Sequence, residues 1–224
     1  RANSFLLESV EGGAVRGRYS VIGLKPDLIW RCFGAKAEIN TTARYDPDAF
    51  EPCAQSPLIS MRELIRESHI DLPENLPPMA AGLIGYIGYD MVRHMERLPE
   101  PNLDVLKLPD AILMRPTIMA IFDSVEDLVT LVTPVWPEDG LNARAAYGRA
   151  AERLADTVAD LERSLPVRFE SAQAHIPEPK PTSNTTPTEY HHFVERAKEY
   201  IAAGDIFQVV PSQRFSAPFS LPPF

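Results

Sequence analysis

The sequence predicts an α+β protein built on antiparallel or mixed sheets with helices on the outer faces, and three observations predict it. Two apolar runs rich in β-branched residues, Ile112 to Phe122 and Leu128 to Val135, flank the polar stretch Asp123-Ser124-Val125-Glu126-Asp127. That is the pattern of an antiparallel hairpin with a longer loop. Shorter extended runs precede it, at Phe5 to Ser9, Arg18 to Gly23, Leu28 to Phe33 and Lys36 to Ile39. Helical periodicity recurs in three separate places, beginning near residues 57, 142 and 186.

Composition narrows the class. The chain has 224 residues, 45% of them hydrophobic and 24% charged, as expected of a globular fold with a real core. Its formal net charge is −9, which argues against a broad nucleic-acid surface, because phosphate contacts need concentrated Lys and Arg. The same balance leaves room for an anionic small molecule held by one local arginine. The longest apolar run, Met79 to Tyr89, is interrupted by glycines and is far below the roughly 20 residues that span a bilayer. No signal peptide or transmembrane segment is visible. Cys32 and Cys53 can pair, but two cysteines make neither a disulfide framework nor a zinc site. A reducing, cytoplasmic compartment is the simpler inference. The chain starts at Arg1 without a methionine and stops at Phe224 without a polar tail, which is expected of a piece of a longer polypeptide.

In order along the chain, Phe5-Leu6-Leu7-Glu8-Ser9 is an apolar run ending in a carboxylate and a hydroxyl. Gly12-Gly13 reads as a turn, and Arg16 to Gly23 resumes an extended pattern as a hairpin-like or neighbouring partner. Glu8 and Ser9 beside Arg18 have the chemistry of an amino-acid pocket, carboxylate to ammonium and arginine to carboxylate; a rim salt bridge is the alternative. Leu28 to Phe33 and Lys36 to Ile39 turn at Gly34-Ala35. Pro52 to Ser56 is a loop. Ser56-Pro57 opens a helix with a stripe of Leu58, Met61, Leu64 and Ile65, ended by Asp71 to Pro78. Glycines 82, 85 and 88 are not at nucleotide-binding spacing and suggest bends or close backbone approach in a strand. Asp90 and Arg93 are placed to pair locally or to serve catalysis. Pro116 demands an edge or a bulge. Asn142 to Ser164 is a helix with Tyr147, Leu154, Val158, Leu161 and Leu165 as its buried stripe.

Pro166 to Thr185 lacks periodicity and connects two lobes or layers. Thr186-Pro187-Thr188-Glu189 is a capping box opening a helix that Gly204 closes. Ile206, Phe207, Val209 and Val210 then read as a largely buried strand ended by Pro211. Gln208 inside it either satisfies a backbone group of the sheet or meets a ligand. His175, His191 and His192 lack a metal-site spacing.

Four stretches taken together resemble the large subunit (component I) of anthranilate synthases. They are Leu6-Leu7-Glu8-Ser9, Arg18-Tyr19-Ser20-Val21-Ile22-Gly23, Gly82 through Asp90, and Gly204-Asp205-Ile206-Phe207-Gln208-Val209-Val210-Pro211-Ser212-Gln213-Arg214-Phe215. The resemblance implies an incomplete component I fold. Residues 1–165 would be its N-terminal region, 166–185 a Pro-rich connection, and 186–224 the truncated start of the chorismate-binding domain. It implies a cytoplasmic lyase of tryptophan biosynthesis that converts chorismate and ammonia to anthranilate and pyruvate. A glutamine amidotransferase subunit would supply the ammonia. Mg²⁺ would be required, with its ligands beyond Phe224, so that the 224 residues alone are expected to be inactive. Gln208 would lie beside chorismate, where related isochorismate-forming enzymes carry a water-activating lysine. Glu8, Ser9 and, more loosely, Arg18 would belong to a feedback site for tryptophan. The rival readings are the large subunit of aminodeoxychorismate synthase and a non-catalytic, amino-acid-binding regulatory module.

Overall fold

The structure, a computed structural model, describes residues 3–8, 17–101, 103–138, 140–164 and 180–219. The chain forms two units, residues 1–164 and 165–224.

The first unit is organised on two long antiparallel strands, β2 (Tyr19–Phe33) and β6 (Ala111–Asp123), paired from Tyr19↔Asp123 to Cys32↔Ala111. Both carry runs of Val, Ile and Leu that suit a pleated, buried surface. The runs read as separate strands at Arg18 to Gly23 and Leu28 to Phe33 are thus one strand with a break. At the break Pro26 stands opposite Pro116, and neither can donate to the ladder. Pairing resumes at Leu28↔Arg115, which leaves Asp27 as an extra residue on β2. This is a β-bulge, so the geometry expected around Pro116 is present. Lys25 just before it takes a left-handed backbone, φ 50°, and its carbonyl accepts a hydrogen bond from Thr117 Oγ1 at 2.6 Å.

The bulge separates the flanking strands into two sets. Beyond it lie β3 (Lys36–Asn40), which turns back from β2 at Gly34, then β4 (Glu51–Pro52), and on the β6 side β5 (Ile84–Ile87). Before it lie β1 (Phe5–Leu7) on β2 and β7 (Leu128–Val132) on β6. The core divides likewise. One cluster joins Leu28, Trp30, Cys32, Leu64, Met91 and Leu113; the other joins Val21, Ala80, Met119 and Ile121. Close backbone approach explains Gly85: a Cβ there would lie 1.9 Å from the Ile112 carbonyl oxygen. Gly88 leads into a short 3₁₀ helix, Tyr89–His94, in which Asp90 and Arg93 pair locally at 2.7 Å.

Helix α1 (Pro57–Glu67) ends earlier than Asp71. It packs Leu58, Met61 and Leu64 onto the first cluster, whereas Ile65 is exposed, a correction to the predicted stripe. Helix α2 (Ala143–Glu162) is capped by Asn142, whose side chain accepts from the Ala145 N–H at 2.9 Å. Its predicted stripe is also corrected. Ala150 and Thr157 are buried and Leu154 half-buried, while Tyr147, Val158 and Leu161 are exposed; Leu165 lies outside the described residues. The inward positions 150, 154 and 157 share a face at helical spacing, but Ala and Thr carry too weak an apolar signal to reveal it.

In the second unit α3 (Pro187–Ala203) begins with the predicted capping box. Thr186 Oγ1 accepts from the Glu189 N–H at 3.2 Å, and the Glu189 carboxylate accepts from the Thr186 N–H at 2.8 Å. Gly204, φ 81°, closes it. The predicted strand at Ile206 to Val210 does not form. That stretch is irregular and exposed beyond the half-buried Ile206, with Phe207 94% accessible. The strand pairing described in this unit joins β8 (Thr182–Ser183) to β9 (Phe215–Ser216). An apolar pattern states only that burial is favourable; no described neighbour provides the surface. No helix among the described residues is long and apolar enough to cross a membrane.

Candidate functional site

The N-terminal motif sits at the edge of the sheet. β1 pairs with β2 in the register Phe5↔Gly23, Leu6↔Ile22 and Leu7↔Val21, which joins the first two motifs of the sequence in space. The Phe5 ring lies over Gly23; a Cβ there would come within 2.0 Å of that ring, so the ring would have to move. Leu6, Leu7 and Glu8 are exposed along this edge. Ser9 and the turn predicted at Gly12-Gly13 lie outside the described residues.

Arg18 meets a carboxylate, but that of Asp123 at the far end of the β6 strand, not that of Glu8. Its Nε donates to Oδ1 at 2.8 Å and its Nη2 to Oδ2 at 2.6 Å, and Glu126 lies 3.7 Å away. The guanidinium also covers the Tyr19 ring at 5.0 Å. Asp123 accepts from the N–H groups of Val125 and Glu126 as well, so one carboxylate organises the hairpin loop and anchors the arginine. Hydrogen bonding from Arg18 first, and then from these backbone groups, holds the Asp123 pKa down at about 2. The same bond raises that of Arg18. The rim salt bridge that the sequence left open is therefore present, with a partner the sequence did not single out. The signal was available: an aspartate opening a hairpin loop commonly bonds backbone N–H groups two residues on.

Gln208 lies on the exposed stretch after α3, and its amide has no partner among the described residues. It does not satisfy a sheet backbone, because no sheet forms around it. The chain just beyond this stretch is held more firmly. Asn184 accepts from the Arg214 N–H at 2.8 Å and donates its own backbone N–H to the Arg214 carbonyl at 3.0 Å. Ser183 Oγ donates to Gln213 at 2.9 Å. The polar residues before α3 thus brace the far end of the Gln208 segment.

Cys32 and Cys53 are both free, so the pairing the sequence allowed is absent. Burial pushes the Cys32 thiol up to about 11 and raises that of Cys53, which makes both poor nucleophiles. Among the described residues no three His, Cys, Asp or Glu side chains come together in a group that could hold a metal ion.

The structure thus combines a seven-stranded antiparallel sheet with a separate unit that carries α3 and an exposed amide. The family profile described as chorismate binding enzyme matches residues 5–224, and the chain belongs to that family. More particularly, it is 54% identical over its whole length to anthranilate synthase component 1 of Cereibacter sphaeroides, covering 45% of that protein. It is 36% identical to the component 1 of Pseudomonas aeruginosa over 99% of this chain and 44% of that one. The crystal structure of anthranilate synthase component I from Streptococcus pneumoniae superimposes with a TM-score of 0.72 at 22% identity, over 96% of this chain and 45% of that chain. That likeness supports the fold. The chain spans about half the length of the curated relatives it matches.

Proposed function

We propose that this chain is the leading part of an anthranilate synthase large subunit, which converts chorismate and ammonia to anthranilate and pyruvate. The observation that carries the reading is the 54% identity, sustained over all of the chain, to a protein of that name. Within it Gln208 faces chorismate. An amide has no acid–base use near neutral pH, so it can orient the substrate by hydrogen bonds without activating water as a competing nucleophile. Its exposure here is consistent with a side chain that a ligand, and not the chain's own sheet, satisfies. Ammonia would be delivered by a glutamine amidotransferase subunit, and Mg²⁺ would be held by residues outside those described.

Glu8 and Ser9 carry the proposed tryptophan feedback site; Glu8 follows the exposed edge strand, next to apolar Leu6 and Leu7. Arg18 contributes only if Asp123 releases it, so its part is the weaker. Feedback of this kind requires tryptophan to prefer a form that binds chorismate poorly.

The test is steady-state turnover by the full-length protein with chorismate, ammonia and Mg²⁺, following anthranilate fluorescence and pyruvate together. Equal release of both, inhibited by tryptophan, is expected; an aminated product that keeps the pyruvyl group would replace this reading with aminodeoxychorismate synthase. Gln208→Lys is expected to lower amination and yield water-derived product. Unchanged amination with no such product would remove the role given to Gln208. The 224 residues by themselves are expected to show no turnover.

A further inference from the structure

The bulge at Pro26 and Pro116 floors a cavity of about 720 Å³ within the first unit, walled by the 41–45 segment, the 134–138 segment and one face of α2. Its size is in the range of small-molecule sites. Its charges do not balance internally. Asp27, the extra residue of the bulge, is satisfied by Arg115, which donates to it at 2.8 and 3.0 Å and stacks 4.4 Å from the Trp136 ring. Arg149 reaches Glu138 at 3.7 Å. Lys25, Arg44 and Arg153 also line the space, and among the described residues none of them forms an ion pair. Glu152 and Asp156 line it from α2, but neither pairs with Arg153.

Arg153 is the anomaly. Its Nε is buried and has no hydrogen-bond partner. Burial first, and the neighbouring Arg44 second, lower its pKa, and Asp27 offsets only part of this, so the two guanidinium groups repel across the same space. The side chain as a whole is half-buried, and Nε is the part shut off from the surface. A buried cationic donor left unpaired is costly, and native structures retain one where something else supplies the acceptor. The guanidinium fork matches a carboxylate or phosphate.

We propose that this cavity binds a small oxyanion, a carboxylate or a phosphate, gripped by Arg153 and Arg44 with Lys25 at the bulge. Neither Glu8 nor Arg18 lines it, and the proposal stands whether or not the chain aminates chorismate. Thr41 adds a hydroxyl beside the same space, whereas the Thr42 and Thr117 hydroxyls already donate, to Asn40 and to the Lys25 carbonyl.

The experiment is thermal unfolding and calorimetric titration of the full chain with sodium phosphate and, separately, sodium malonate, each against sodium chloride at matched ionic strength. A saturable rise in Tm with at least one anion is expected, and the two arms separate phosphate from carboxylate. Arg153→Met and Arg44→Met should each weaken that anion at least tenfold. Arg44 is exposed, so its variant folds regardless. No saturable shift over chloride, or an equal shift in both variants, overturns the proposal.

Discussion

The tightest demand the fold makes on a single residue is at Gly85, and Gly85→Ala tests it. A Cβ built there lies 1.9 Å from the Ile112 carbonyl oxygen, 2.8 Å from its carbon and 3.1 Å from Leu113 Cα. All three are backbone atoms of β6, which is pinned on its other side by β2 along nearly its whole length, so they cannot step aside as a side-chain tip could. Either β5 moves outward, losing ladder hydrogen bonds of about 1 kcal/mol each, or β6 distorts at an overpacking cost of about 1–3 kcal/mol. Both routes lead to a loss of about 3 kcal/mol, which in a chain of this size lowers Tm by roughly 6–12 °C. Gly148→Ala is the matched control. It lies inside α2 with nothing within 4 Å of its would-be Cβ, so alanine should gain about 0.5–1 kcal/mol from backbone entropy. Urea unfolding followed by the fluorescence of Trp30 and Trp136 measures both. A Gly85→Ala chain within about 0.5 kcal/mol of the parent would refute the close approach of β5 and β6.

Two further perturbations probe the core and the Arg18 anchor. Trp30 is fully buried, and its Nε1 donates to Ser60 Oγ at 3.1 Å; Ser60→Ala should cost about 1–3 kcal/mol by orphaning that donor. Adding Trp30→Phe should then cost less than it does in the parent, as a double-mutant cycle in urea would show. Asp123 is held at about pKa 2 in the fold, below its ordinary value, so the Arg18 pairing stabilises the protein above about pH 4 and is lost as pH falls toward 2. Asp123→Asn should lower stability at neutral pH and flatten the acid limb of a Tm against pH curve; an unchanged limb would show that the pair contributes nothing.

Local signals were legible wherever one residue type answers one local need. The Thr186 to Glu189 capping box, the Gly204 cap, the hairpin around residues 123–127 and the Gly34 turn all follow from backbone donors or positive φ that few residues satisfy. Long-range facts were less so. The inward face of α2 rests on Ala150 and Thr157, which look neutral in a periodicity count, while Tyr147 and Val158 look buried and are not. Arg18 could be foreseen to want a carboxylate, but Asp123 is 105 residues away, and only the β2–β6 register brings it there. The stretch at residues 206–210 failed for the opposite reason: its apolar pattern is strong, but a strand needs a partner that no described residue offers.

The prolines show how one sequence feature can lead from ladder to site. Pro26 and Pro116 lack N–H groups, so placing them opposite each other removes hydrogen bonds that neither strand can replace. The chain accommodates this by inserting Asp27, and a bulge of this kind re-aims the side chains around it. The aim here is toward α2: Lys25, Asp27, Arg115 and Thr117, all within the irregularity or beside it, line the cavity that Arg153 enters from the helix. On its other edge β6 is unpaired between Met114, where β5 ends, and Met119, where β7 begins. Thr133 Oγ1 fills part of that gap by donating to the Thr117 carbonyl at 2.8 Å. A regular ladder through this point would have given a stiffer sheet with its faces in strict alternation. The interruption instead gathers polar side chains at mid-sheet, where burial strengthens any charge they meet, and that is the physical reason to look for a ligand there.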